Sequence, residues 1–179
     1  MMETFEQMLT GGHPNSLGRT LEVVETVLSD RGRHEDLYQC YFSEDEVVRL
    51  RVSNAMRRIT VEHPDWTMDF MDRLQSEIAA IDQASTQWTL AILFQLTHDR
   101  MSDAQHSRAI EIMKNNLANH NDWIVLNNSI QVLTEWAVMD EGDNALKDWL
   151  RPHLERLASD PRKSVAARAR KYGAILERG

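Results

Sequence analysis

The chain has 179 residues, of which 42% are hydrophobic and 27% charged, with a formal net charge of −8. This is normal for a folded soluble protein, and the negative balance argues against binding polyanions by bulk charge. The single cysteine, Cys40, excludes an intrachain disulfide. Charge is unevenly spread: from Lys147 onward nine Lys/Arg face four acids, a tail of +5 that leaves −13 for everything before it. The longest apolar run, around Ala91 to Phe94, is far too short to span a bilayer. The opening MMETFEQML lacks the basic start of a secretory signal, so a cytoplasmic protein with no membrane contact is expected.

Residues 1–15 read as an N-terminal segment in which Phe5, Met8 and Leu9 dock one helical turn, broken by Gly11-Gly12-His13-Pro14. Residues 16–32 read as a capping helix. Asn15 or Ser16 opens it, Leu17, Leu21, Val24 and Leu28 form its inward face, and Gly32 closes it. Cys40, among Leu37, Tyr38 and Tyr41, reads as a small core residue.

Residues 33–179 read as four helix pairs in a single domain. The first helices carry Leu37/Tyr41, Phe70/Leu74/Ile78, Ile110/Met113/Leu117 and Leu150/Leu154/Leu157. The second helices align on Val48, Ser85, Val125 and Val165, in steps of 37, 40 and 40 residues. Four residues after each anchor stands a small or β-branched side chain: Val52, Thr89, Ser129 and Ala169. Closely packed helices need small residues where they cross. Ser43-x-x-Glu46 and Ser102-x-x-Gln105 fit the capping box. Asp122 and Asp160 can cap the helices that follow them, with Pro161 in the first turn of the last one. Gly142-Asp143 separates two helices, and Pro152 should kink its helix or restart it. No segment alternates with period two, so no strand is expected.

The period, the short turn within each pair, the small residue in each second helix and the proline in a first helix resemble the HEAT-repeat family over residues 32–176. The resemblance implies an all-α fold, a right-handed superhelix of helical hairpins whose second helices line a concave face. It also implies a role in binding proteins, sometimes nucleic acid, and rarely catalysis. Gln87-Trp88-Thr89-Leu90-Ala91-Ile92-Leu93-Phe94-Gln95-Leu96 is similar to a helix of the HEAT-like alkylpurine DNA glycosylases of the AlkD type. One repeat earlier, where that family carries its catalytic Asp motif, this chain has Glu46-Val47-Val48-Arg49-Leu50-Arg51-Val52. With the catalytic Asp absent, that activity does not carry over.

No other motif names a reaction. The seven histidines (13, 34, 63, 98, 106, 120 and 153) form no metal-binding spacing, and most stand at helix ends where a surface or capping role is expected. There is no nucleophile elbow and no phosphate loop. Neither catalytic residues, nor a metal, nor a cofactor is expected. The five tryptophans (66, 88, 123, 136 and 149) read as packing between repeats rather than base stacking.

Helical phasing turns one face of each second helix away from the anchor stripe. That face has basic ends and an apolar middle: Arg57, then Leu90 and Phe94, then Ile130, then Arg170 and Lys171. The expected function is therefore a non-catalytic scaffold whose inner face binds an apolar protein segment with acidic flanks. A homodimer would bury the same patch. The alternative is nucleic-acid binding, with Arg49, Arg51, Arg57, Arg58, Arg162, Lys163, Arg168, Arg170 and Lys171 on phosphates.

Overall fold

The computed structural model describes residues 3–140 and 144–179; the boundary expected at Gly142-Asp143 lies outside the described residues. The protein is all-α, about 80% helical, and no strand occurs among the described residues. It forms two compact units, residues 1–102 and 103–179.

The first unit opens with α1 (Phe5–Leu9). Thr4 accepts the amide of Gln7 while the Gln7 side chain accepts the amide of Thr4, so a five-residue helix is held at its start. Phe5, Met8 and Leu9 are buried, as their spacing predicts. The next helix differs from expectation. α2 (Thr20–Ser29) starts four residues late and buries Thr20, Val23, Val24 and Val27, while Leu17 and Leu21 are 38% and 47% exposed. The reason lies in α4 (Glu46–Glu62). Its Arg51 is buried, and the guanidinium donates to the carbonyls of Leu9, Gly11, His13 and Ser16. A backbone wrapped around a guanidinium cannot also be helical, so residues 10–18 form a loop, with Gly11, Gly12 and Gly18 at positive φ. Gly32 does not close α2; it lies in a 3-10 turn, with its amide on the Asp30 carboxylate.

The rest of this unit follows as α3 (His34–Gln39), α4, α5 (Pro64–Met68), α6 (Met71–Ser76) and α7 (Ala84–Thr97). Helix α4 is the axis, touching α1, α2, α3, α5 and α7. Its stripe Val48, Val52, Ala55, Met56 and Ile59 is wholly buried. The cap of α4 is Asp45, which accepts the amide of Val47; Ser43 instead accepts the amide of Asp45, two residues too early to make the expected capping box.

The second unit contains α8 (Asp103–Asn119), α9 (Trp123–Met139), α10 (Asn144–Leu157) and α11 (Lys163–Arg178). Asp122 caps α9 through the amides of Ile124 and Val125. Asp160 does not cap α11. The helix starts three residues later, and Asp160 instead takes the amide and guanidinium of Arg162, which holds its carboxyl down at about 2. α10 runs unbroken through Pro152. Helix α9 packs against α8, α10 and α11, and Val125, Ser129, Val132, Leu133 and Trp136 are buried.

In both units, several side chains join elements 37 to 41 residues apart. Arg31 meets Asp69, Arg73 meets Glu35, Tyr38 donates to Glu77 and Gln83 donates to the carbonyl of Glu46, at 37 to 39 residues. Arg168 donates to Gln131, Tyr172 to Glu135, Arg156 to the carbonyl of Leu117 and Arg162 to the carbonyl of Asn121, at 37 to 41 residues.

Candidate interaction surface

Of the six residues expected on an inner binding face, three are not on the surface at all. Leu90, Phe94 and Ile130 are buried, with at most 1% exposure, so the apolar middle of that face is core. Arg57 is half-buried, and its Nε is enclosed without a hydrogen-bond partner. Only Arg170 and Lys171 are exposed.

The correction has a physical cause in each helix. On α7, Gln87 donates to the carbonyls of Ala79 and Ile81, which turns the face of Gln87, Leu90 and Phe94 inward. The half-exposed strip of α7 is Trp88, Ile92, Gln95 and Leu96. On α9, three neighbouring helices leave Ile124, Asn128, Gln131, Glu135 and Val138 half-exposed between exposed ends at Trp123 and Met139. A helix apolar on all sides carries little phase information, so its neighbours choose the solvent face.

The basic residues of α4 are engaged within the first unit. Arg51 is the buried clamp, Arg49 donates to Gln83 and to the carbonyl of Ser43, and Arg58 donates to Asn54. In the second unit Arg162 is tied to Asp160, and Arg168 to Gln131. Lys163, Arg170, Lys171 and Arg178 of α11 are exposed and pair with no carboxylate among the described residues.

The aromatic side chains are mostly covered. Trp136 is buried and stacked on His106 at 4.2 Å. Trp149 has His153 at 4.0 Å and the Lys114 ammonium at 5.1 Å. Trp66 has His63 at 4.0 Å and Arg31 at 5.4 Å. Trp123, 49% exposed, stands at the start of α9. His13 and His120 act as caps, each accepting an amide two residues on. His34 departs from the expected surface role: it is 2% exposed, edge-on to Phe70, with Nε2 3.3 Å from the Met56 sulfur. Cys40 is buried, and burial pushes its thiol up to about 11, away from nucleophilic use. No cluster of three His, Cys, Asp or Glu able to hold a metal ion occurs among the described residues, and no described helix is long and apolar enough to cross a membrane.

A groove does exist, in a different place. Helices α10 and α11 run antiparallel and leave a hollow of about 310 Å³ along their outer seam. Leu154, Ala158, Ala169, Gly173, Ala174 and Leu176 make its apolar floor. Arg151, ion-paired to Glu177 at 2.8 Å, closes one end. Arg170, whose Nη2 donates to the carbonyl of Ala158 at 2.8 Å, closes the other. Glu155 and Glu177 also line it. Lys171 does not; its ammonium lies 5.3 Å from the Tyr172 ring.

Gly173 is the informative position. It stands inside α11 at an ordinary helical φ, and a Cβ built on it meets no atom within 4 Å. A helix-interior glycine is less stable than alanine by about 1 kcal/mol. Nothing in the chain's own packing requires that loss. Helical phasing turns Arg170 away from the anchor stripe, and in the structure it lines the groove. The signal that could have found the groove is a glycine inside a helix, between Ala169 and Ala174.

Compared with known protein families, with curated proteins and with solved structures, the chain matches none.

Proposed function

We propose that this is a non-catalytic binding protein of HEAT-like repeats, stacked as a right-handed α-solenoid, that takes up a protein segment in the groove between α10 and α11. The observation that carries the binding reading is Gly173: a helix-interior position kept free of a side chain that no neighbour needs to be free. The repeat reading is supported by the side-chain links that recur at 37 to 41 residues in both units. The small-residue floor would accept an apolar side chain. Arg170 at the rim would favour an acidic flank at that end, as rim charges steer and orient a partner.

The exposed cations of α11 favour one second reading, phosphate contacts to nucleic acid. That reading is weakened because Arg49, Arg51 and Arg58 of the first unit bond internally. The test is fluorescence anisotropy with a labelled peptide carrying one leucine among glutamates, beside labelled duplex and single-stranded DNA, across a salt series. Peptide binding that is lost in Gly173→Leu, with melting unchanged, supports the proposal. DNA binding with a steep salt slope, intact in Gly173→Leu, would replace it with the nucleic-acid reading.

A further inference from the structure

We propose that the loop of residues 10–18 and Arg51 of α4 form a binding site for a small organic carboxylate. The site lies in the first unit and stands whether or not the α10–α11 groove takes up a partner. Arg51 is 2% exposed. Its guanidinium has five N–H donors. Four are used: Nε on the carbonyl of Ser16, Nη1 on those of Leu9 and Gly11, and Nη2 on that of His13. The fifth, on Nη2, has no acceptor among the described residues. Carbonyl dipoles satisfy hydrogen bonds but leave the net charge, and a buried charge is costly unless an opposite one offsets it. Arg19, Arg31, Arg73, Arg151 and Arg162 each meet a carboxylate, although their side chains are 36% to 51% exposed. Arg51, far more buried, meets none among the described residues.

A pocket of about 240 Å³ opens beside Arg51, between the loop and α4. No acid lines it, and Arg51 is its one charged residue. Its neutral polar residues can donate. Asn54 uses Oδ1 to accept from Arg58 Nε at 2.7 Å, which leaves its Nδ2 hydrogens free and sets a second positive charge one turn along α4. Ser16 Oγ accepts the amide of Gly18 and keeps its own proton to give. Asn15 adds a further amide, and Pro14, Leu17 and Leu50 supply apolar walls. Donors around a net positive charge fit an anion, and the apolar walls fit a hydrocarbon chain attached to it. A carboxylate offers both: one oxygen for the free Nη2 hydrogen of Arg51, the other for Asn54 Nδ2, and a chain against Leu17 and Leu50. Sites for drug-sized ligands hold about 300–1,000 Å³, so this ligand is smaller, a short-chain acid.

Amide NMR spectra of the full chain, titrated with sodium butyrate at constant ionic strength, test this. Butyrate should shift the amides of residues 14–18 and 50–54 saturably. Butyramide, its neutral counterpart, and inorganic phosphate, which has no hydrocarbon chain, should each bind about tenfold more weakly or worse. Asn54→Leu removes one donor and should weaken butyrate about fivefold with the fold intact. Leu50→Glu places a carboxylate of the chain's own in the pocket and should abolish the butyrate response; Leu17→Glu serves in its place if that variant melts early. Gly173→Leu should bind butyrate as wild type does, which separates this site from the α10–α11 groove. Wild-type amides that do not shift, butyramide or phosphate that binds as well as butyrate, a response unchanged in Asn54→Leu or in the glutamate variant, or one lost in Gly173→Leu overturns the proposal.

Discussion

A Cβ added to Gly18 would lie 2.9 Å from Cζ of Arg51 and 3.0 Å from its Nη1. The loop before α2 is thus closed over a buried guanidinium at a distance that only glycine permits, and Gly18 also has a φ of +51°. Gly12 is the natural comparison: it has a φ of +75°, but its added Cβ would stand 3.5 Å from Nη2, an ordinary contact. Gly18→Ala and Gly12→Ala should each lose about 1–2 kcal/mol from the left-handed backbone. Gly18→Ala should lose more, because the guanidinium must also move. Chemical denaturation of the two variants checks the order, and equal losses would show that the contact with Arg51 carries no energy.

Arg51→Met keeps the apolar stem and removes the donors. The carbonyls of Leu9, Gly11, His13 and Ser16 then lose their partner. A buried polar group left without a bond costs about 1–3 kcal/mol, so the variant should lose about 3 kcal/mol or more. The loop should also open locally, seen as faster hydrogen exchange in residues 10–18 than in α4. Uniform exchange across the unit would mean that Arg51 does not hold the loop.

Phe94→Ala should destabilise the protein by about 3–5 kcal/mol, the usual result of emptying a buried aromatic site. The residue is fully buried, so its effect on any partner should follow only from unfolding. Thermal melting beside peptide binding at a temperature where the variant is folded checks this. A stable variant that has lost binding would restore the inner-face site that the structure removes.

His34 gives a pH dependence with a defined sign. Burial, with Arg31 nearby, lowers its pKa from 6.5 to about 4. Between those values the unfolded chain takes up a proton that the folded chain refuses. Stability from this group is therefore full above pH 6.5 and lost as pH falls toward 4. At about 1.4 kcal/mol per unit the loss is about 3 kcal/mol. His34→Leu should flatten the pH dependence across that window relative to wild type. An unchanged slope would mean that His34 titrates freely in the folded protein.

Gly173→Ala should stabilise the protein by about 0.5–1 kcal/mol, since alanine is the better helix residue and its methyl has space. Differential scanning calorimetry of this variant reads the gain directly. A loss of stability would show that the position is tight, and the groove argument would fall with it.

Much of this was legible without a structure. The second helices lie where the anchors Val48, Ser85, Val125 and Val165 put them, and the column Val52, Thr89, Ser129 and Ala169 is buried throughout. That part is local: helical periodicity and a small residue at a crossing are written in consecutive residues. The caps were legible in kind but not always in position. Asp122 is a true cap because its helix begins at the next residue, whereas Asp160 is turned to Arg162 by a charged bond that outcompetes the helix amides.

The sequence by itself determined an all-α chain, the places of the second helices, and the buried anchors Val48, Ser85, Val125 and Val165. Tertiary structure alone decided the rest. Whether Leu90 and Ile130 face water depends on which helices surround α7 and α9, and an apolar run has no polar side to announce the answer. Whether residues 16–19 are helical depends on Arg51, 32 to 35 residues away, because one guanidinium can hold several carbonyls that a helix would otherwise use. The groove at Gly173 exists because α11 sets Ala169, Gly173 and Ala174 beside Leu154 of α10 and Ala158 just after it, a property of the pair that neither helix carries alone.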